Sequence, residues 1–247
     1  MIRNFKDGLI GLTSFENSEF RPEDSEERYK ESLKTQPNDW VYKTEKVIYN
    51  TNKYGHRCVE IDDLQDDYFL FAGCSYTEGV GLPYEKTYPY LVSKHFNKTY
   101  YNLSVGGTGV DMVSFNLIGF LALVKKKPSK IIIQWPNFRR FFYFDSNFQT
   151  QLFLPSVSAN YIYRILTKED IPYRQNIFYR QHVLQYIQNL GLNSIYEFSQ
   201  ENIADKIPNI PVIPMLQHVD LARDLSHPGI KTHELWANLI INELEKN

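Results

Sequence analysis

Apolar residues are scattered without period through residues 1 to about 40, a stretch rich in Glu, Lys, Asn and Ser. This part reads as an extension draped over a domain rather than as a core of its own. Between Trp40 and Ile61 come two short β-prone pieces, WVYKTEKVIYN and RCVEI, with a turn-prone Asn-Lys-Tyr-Gly between them; they predict a small hairpin. The pattern changes after Asp66 and Asp67. Tyr68-Phe69-Leu70-Phe71-Ala72 is an unbroken apolar run, as a parallel strand buried on both faces requires. A glycine-bounded loop leads to YPYLVSKHFN (88–97), whose apolar residues recur at i, i+3 and i+4 and predict a helix. TYYNLSV (99–105) is a second strand, VDMVSFNLIGFLALVKK (110–126) a second helix, and Lys130 to Trp135 a third strand.

From Pro136 to about Tyr173 the pattern is irregular and aromatic, an insertion of the kind that serves as a lid or binding loop. Beyond it the periodicity predicts a helix around Gln175 to Leu190, then strands near Ser194 to Phe198 and in PVIPML (211–216). The last segment, Thr232 to Lys246, sets Leu235, Trp236, Leu239, Ile240 and Leu244 on one helical face. The β-α-β-α-β order predicts an α/β fold with three layers, α/β/α, around a five-stranded parallel sheet, flavodoxin-like in its winding. Residues 1–65 are then an N-terminal extension, and residues 66–247 the domain.

Composition narrows the function more than the fold. Of the 247 residues, 43% are hydrophobic and 23% charged, and the net charge is -2, which excludes a strongly basic nucleic-acid surface and an acidic tail. No run approaches the roughly 18 to 20 apolar residues of a membrane span. MIRNFKDGLIGLTSFENSEF starts basic but lacks an apolar core and a small-residue cleavage site, so a cytoplasmic location is expected. Cys58 and Cys74, two isolated cysteines, make neither a disulfide framework nor a metal site.

Two stretches carry chemistry. Gly73-Cys74-Ser75-Tyr76-Thr77-Glu78-Gly79 puts a serine where the first sheet strand ends and a helix begins, at the edge of a parallel sheet where ligands bind. Asp224-Leu225-Ser226-His227-Pro228-Gly229 puts a carboxylate and an imidazole three residues apart in a loop before the last helix. A serine hydroxyl needs a base to take its proton, and the base needs a third group to fix its tautomer; Ser75, His227 and Asp224 supply the three. Of the other histidines, only His218, with Asp220 nearby, offers a comparable pair. Gly79-Val80-Gly81-Leu82-Pro83-Tyr84 fails the dinucleotide fingerprint, no Gly-Lys-Ser/Thr exists, and Thr77 breaks the Gly-x-Ser-x-Gly elbow of α/β-hydrolases. Arg139 and Arg140 stand at the edge of the expected site as candidate binders of an anionic substrate.

These residues resemble the SGNH (GDSL-like) hydrolases, named for four blocks carrying Ser, Gly, Asn and His. GCSYTEG is similar to the first block, NLSVGG to the second with its last glycine at Gly107, QWPN to the third with its asparagine at Asn137, and DLSHPG to the last, Asp-x-x-His-Pro. All four occur in the family order within residues 68–247. The resemblance implies a serine esterase with the SGNH hydrolase fold, in which Ser75 attacks an ester carbonyl, His227 is base and then acid, and Asp224 orients it. It implies an oxyanion hole made by the N–H groups of Ser75 and Gly107 and the side-chain amide of Asn137. No metal or organic cofactor is implied, and the substrate class is a small-molecule or carbohydrate ester, most simply a short acyl group such as acetyl. An O-acyltransferase and a non-catalytic binding module on the same fold remain alternatives. Three positions depart from the family pattern: Cys74 for an Asp, Trp135 for a Gly, and Phe138 for an Asp. Finally, Tyr49 to Arg57 resembles a Tyr-x-x-Asn-x-x-Gly-x-Arg stretch found before the catalytic domain in some of these hydrolases, with Arg57 expected to tie the extension to the core.

Overall fold

Four parallel strands lie side by side at the centre of the molecule: β3 (Tyr68–Ala72), β4 (Thr99–Asn102), β5 (Lys130–Trp135) and β8 (Ile195–Ser199), in the order β4-β3-β5-β8. The computed structural model describes residues 3–12, 14–144, 150–153, 170–199, 203, 206–214 and 217–246. Side chains of β3 alternate between two faces, as the period of two requires. Phe69 and Phe71 face α3 (Tyr88–His95) and α6 (Ile230–Leu244), packing with Tyr88, Val92, Trp236 and Ile240. Tyr68, Leu70 and Ala72 face α4 (Val110–Leu123) and α5 (Ile171–Asn189), packing with Val113, Leu117, Phe120, Val183 and Ile187. The result is a three-layer α/β/α sandwich.

Among the described residues the sheet has four strands rather than the expected five, and the segment expected to be the fifth makes a single bridge. Glu197 N–H donates to Pro211 O at 3.1 Å and Ile213 N–H to Glu197 O at 2.8 Å, a parallel bridge centred on Val212. Pro211 has no N–H to offer Ile195 O, so pairing cannot propagate toward the start of β8. Residues 215 and 216 of the expected strand lie outside the described residues. The aromatic insertion contains an antiparallel pair, β6 (Phe141–Phe144) and β7 (Thr150–Phe153). The rest of it, residues 145–149 and 154–169, lies outside the described residues.

The hairpin expected between Trp40 and Ile61 is absent as well. Asn52 takes over the backbone groups a ladder would need: its Oδ1 accepts from Tyr54 and His56 N–H, and its Nδ2 donates to Val59 O. The extension's hairpin lies instead at β1 (Arg3–Lys6) and β2 (Leu9–Leu12). Asp7 and Gly8 form its two-residue loop, with φ of 50° and 83°, the primed turn that matches strand twist. β2 docks on α4, where Asn116 exchanges hydrogen bonds of 2.9 and 2.8 Å with the backbone of Ile10. α1 (Glu26–Thr35) follows, capped by Ser25. Tyr42, Val47 and Tyr49 then form a small apolar cluster with Leu82 and Ala222, residues of the two loops that build the candidate site.

Candidate active site

Ser75 opens the four-residue helix α2 (Ser75–Glu78) at the carboxyl end of β3, where the strand order reverses between β3 and β5. This switch point is the ligand-binding crevice of open α/β sheets. Cys74 Sγ and Thr77 Oγ1 donate to Gln134 Oε1 on β5 at 3.3 and 3.2 Å, and Asn102 Nδ2 at the end of β4 donates to Thr77 O at 3.0 Å. Arg57 donates to Gly79 O at 2.7 Å and to Ile48 O and Leu82 O at 2.9 Å, joining the extension to the serine loop. Cys74 is fully buried, so the position the family gives to an Asp here holds a structural thiol.

The Asp224–His227 turn is built by its own carboxylate. Asp224 Oδ1 accepts the N–H groups of Ser226 and His227 at 3.1 and 3.0 Å, and Leu225 takes a left-handed φ of 53° to close the turn. A non-glycine residue there costs on the order of 1 kcal/mol, which the two hydrogen bonds offset. Asp224 Oδ2 meets His227 Nδ1 at 2.5 Å. A carboxylate only accepts, so Nδ1 carries the proton and Nε2 is the nitrogen able to act as base. Burial pushes the Asp224 carboxyl up, but the hydrogen bonds and charge of His227 outweigh it and hold the group below the ordinary carboxylate range.

This turn packs on the serine loop. Arg223 N–H donates to Gly81 O at 3.1 Å. Gly81 has a φ of 77°, and a Cβ there would lie 2.8 Å from Ala222 Cβ and 3.3 Å from Asp224 Oδ1, so only glycine admits the approach. Tyr76, the residue after Ser75, meets the His227 ring edge-on at 5.8 Å. Ser75 is 5% exposed and the His227 side chain 15%. Among the described residues, no hydrogen bond joins Ser75 Oγ to His227; contacts of this kind tighten when substrate binds. Asp220 serves another purpose: its carboxylate accepts the N–H groups of Lys231 and Thr232 at 3.0 and 2.9 Å and caps α6. His218 lies against Tyr76 with ring centroids 5.1 Å apart.

Gly107 takes a positive φ of 72°, and the preceding Gly106 donates its N–H to Glu78 Oε2 at 2.6 Å. A Cβ on Gly106 would lie 3.7 Å from Ser75 Cβ, so this loop rests against the serine. Trp135 does not crowd the site. Its side chain is fully buried on the α4–α5 side of the sheet, where Nε1 donates to Glu197 Oε2 at 2.7 Å and Arg180 pairs with the same carboxylate. Phe138 is also core, 2% exposed and packed on Tyr173. Asn137 lies between them with its Oδ1 accepting Arg139 N–H at 2.8 Å, so the group its side chain can offer an oxyanion is the NH2. Asn176 on α5 holds the loop from behind, donating to Phe138 O and Arg140 O, both at 2.7 Å.

The two arginines part ways. Arg139 reaches Asp170 at 3.3 Å and lies over the Tyr173 ring, whereas Arg140 N–H donates to Asn137 O at 3.1 Å and closes the turn that carries this asparagine. Glu78, Asn102 and Asn176 hold the loops and went unnoticed in the sequence; each is an isolated polar residue whose partners are distant in the chain.

No family model matches the sequence, and no curated protein matches it. Among solved structures, a carbohydrate esterase family 2 enzyme with a carbohydrate-binding domain from Corynascus thermopiles (Myceliophthora fergusii) superposes with a TM-score of 0.50 at 14% identity, over 81% of this chain and 71% of that one. The two share a fold. A lipolytic protein of the G-D-S-L family from Desulfitobacterium hafniense is similar at a TM-score of 0.49 and 11% identity, over 72% of this chain and 99% of that one. A further carbohydrate esterase is similar at 0.46 and 15%, over 74% of this chain; the match spans 66% of that protein's length. At such identities the SGNH likeness speaks to architecture, and the chemistry has to be argued from the site.

Proposed function

We propose that the protein is a serine esterase that releases a short acyl group, acetyl foremost, from a carbohydrate. The observation that carries the reading is the His227–Asp224 pair, with Nδ1 protonated toward Asp224, packed through Gly81 and Tyr76 on the loop of Ser75 at the sheet's switch point. Ser75 Oγ attacks the ester carbonyl while His227 Nε2 takes its proton. The tetrahedral oxyanion is stabilised by the N–H groups of Ser75 and Gly107 and by the Asn137 amide. The C–O bond to the alcohol then breaks, and His227 returns the proton to the leaving oxygen. Water, deprotonated by His227, attacks the acyl-serine; the acyl–Oγ bond breaks, the carboxylic acid leaves, and His227 returns the proton to Ser75 Oγ. The carbohydrate part of the reading draws on the carbohydrate esterase that shares the fold.

The test combines covalent labelling with product analysis. A fluorophosphonate should label Ser75 and not the Ser75→Ala variant, and the wild type should release acetate from acetylated oligosaccharides and 4-nitrophenyl acetate. Absence of labelling, with Ser75→Ala matching wild type on activated esters, overturns the reading. Transfer of the acyl group to an added sugar in preference to water would turn the hydrolase into an acyltransferase.

A further inference from the structure

Two buried ion pairs that the reaction scheme leaves unused link the N-terminal extension to both halves of the site. Asp24, fully buried, accepts from Arg223 Nη2 at 2.6 Å and Nε at 3.1 Å, and from Tyr49 OH at 2.6 Å. Tyr49 OH in turn accepts Gly81 N–H at 2.8 Å. Asp24 therefore grips the residue before Asp224 and, through Tyr49, the glycine against which Asp224 packs. Three residues earlier, Arg21 pairs through Nη1 with Glu78, whose other oxygen accepts Gly106 N–H, one residue before Gly107. Burial disfavours the Arg21 charge, but Glu78 and Glu23 outweigh this and hold the guanidinium protonated. Arg21 and Asp24 are joined by reciprocal backbone hydrogen bonds of 3.2 and 3.0 Å, which fix the spacing between the two pairs.

Attachment alone does not explain this arrangement. A buried ion pair is often replaceable by well-packed apolar residues with no loss of stability, so its distinctive contribution is directional: it fixes where its partners sit. We propose that Arg21 and Asp24 are positioning residues for the esterase reaction. Asp24 acts through Arg223 on the Asp224–His227 turn, and Arg21 acts through Glu78 and Gly106 on the neighbouring Gly107 donor of the oxyanion hole. The inference rests on the function proposed above. The extension is thereby a working part of the site, because displacing a reacting group by about 1 Å can cost roughly 10²-fold in rate.

The experiment compares three full-length variants with wild type: Asp24→Asn, the apolar pair Asp24→Leu with Arg223→Met, and the conservative Arg21→Lys. Each is measured for thermal midpoint, kcat and KM on 4-nitrophenyl acetate, fluorophosphonate labelling rate, and the low-field proton resonance of His227 Nδ1. The apolar pair should recover a midpoint near wild type yet lose about 10- to 100-fold in kcat and in labelling, with KM within about twofold and the His227 resonance shifted or broadened. Arg21→Lys, which keeps the charge and loses the planar fork, should lower kcat with the His227 resonance intact. Wild-type kcat and an unchanged His227 resonance in the apolar pair would overturn the proposal, and this variant decides the matter even where Asp24→Asn does not fold. An inactive, unlabelled wild type would instead sink the esterase reading, while the His227 resonance would still report whether Asp24 sets the turn.

Discussion

The loops after β3 and β5 face each other across the candidate site and are held by different physics. The serine loop after β3 is fixed by directional polar contacts: Gln134, Asn102, Arg57 and the Glu78–Arg21 pair. The Asn137 loop after β5 is fixed by apolar anchors, Trp135 and Phe138, with the neutral amide of Asn176 behind it. On the Asn137 side the buried charge stands behind the anchor, in the Glu197 carboxylate that accepts from Trp135 Nε1 and pairs with Arg180, whereas on the serine side the Arg21–Glu78 pair belongs to the loop itself. The loop that on the proposed reading contributes only an amide dipole is set chiefly by packing. The departures from the family pattern at Trp135 and Phe138 are then coherent, since both enlarge the apolar anchor and leave Asn137 between them.

Substitutions should separate the two sides. The largest effect belongs to the charged side: Asp224→Asn should lower kcat by about 10⁴-fold by releasing the His227 tautomer, with the fold retained, as steady-state kinetics and circular dichroism would check. Residual activity within tenfold of wild type would break the contrast. On the apolar side, Phe138→Ala should cost about 3–5 kcal/mol in urea unfolding while the activity of the folded fraction changes little. A collapse of kcat at full stability would mean that Phe138 does more than pack. Asn137→Ala should lower kcat about 10²- to 10³-fold at nearly constant KM, the signature of a donor used in the transition state.

The smallest effect concerns acid. His56 is fully buried, accepting from Tyr101 OH at Nδ1 and donating to Ile10 O from Nε2, and burial lowers its pKa from 6.5 to about 4. The unfolded chain binds a proton below pH 6.5 that the folded chain refuses until about pH 4, so His56 costs stability as pH falls through that window, by about 3 kcal/mol at its lower end. Thermal midpoints of wild type should fall between pH 6.5 and 4 more steeply than those of His56→Gln. Parallel slopes would remove His56 as the cause.

The periodic parts of the chain were legible in advance. The unbroken run at Tyr68–Ala72 and the helical spacing after Thr232 reflect burial, which any sequence with that fold must encode. Ser75, Gly107, Asn137 and His227 were legible as short blocks, and the structure brings their loops to one edge of the sheet. Among the described residues the expected fifth strand reduces to one bridge at Val212, because Pro211 lacks the N–H that the preceding rung needs and the apolar content of PVIPML does not supply it. Asp7-Gly8 between apolar pieces was a readable hairpin signal that went unused. The ion pairs were beyond reach. Arg21 meets Glu78 57 residues away and Arg223 meets Asp24 at a separation of 199, and single charges carry no periodic mark of their partner.

That last separation has a consequence for how the protein comes to life. A contact between residues 24 and 223 cannot close until the stretch between them has left the ribosome, and loop closure over such a length is slow to search. The serine loop, the sheet's first strand and the extension can all assemble earlier, whereas on the proposed reading the imidazole follows them and is aimed by a residue made long before it. On the proposed reading, a nascent chain carries an inert serine until Arg223 has been made, and hydrolytic competence marks the moment at which it meets Asp24.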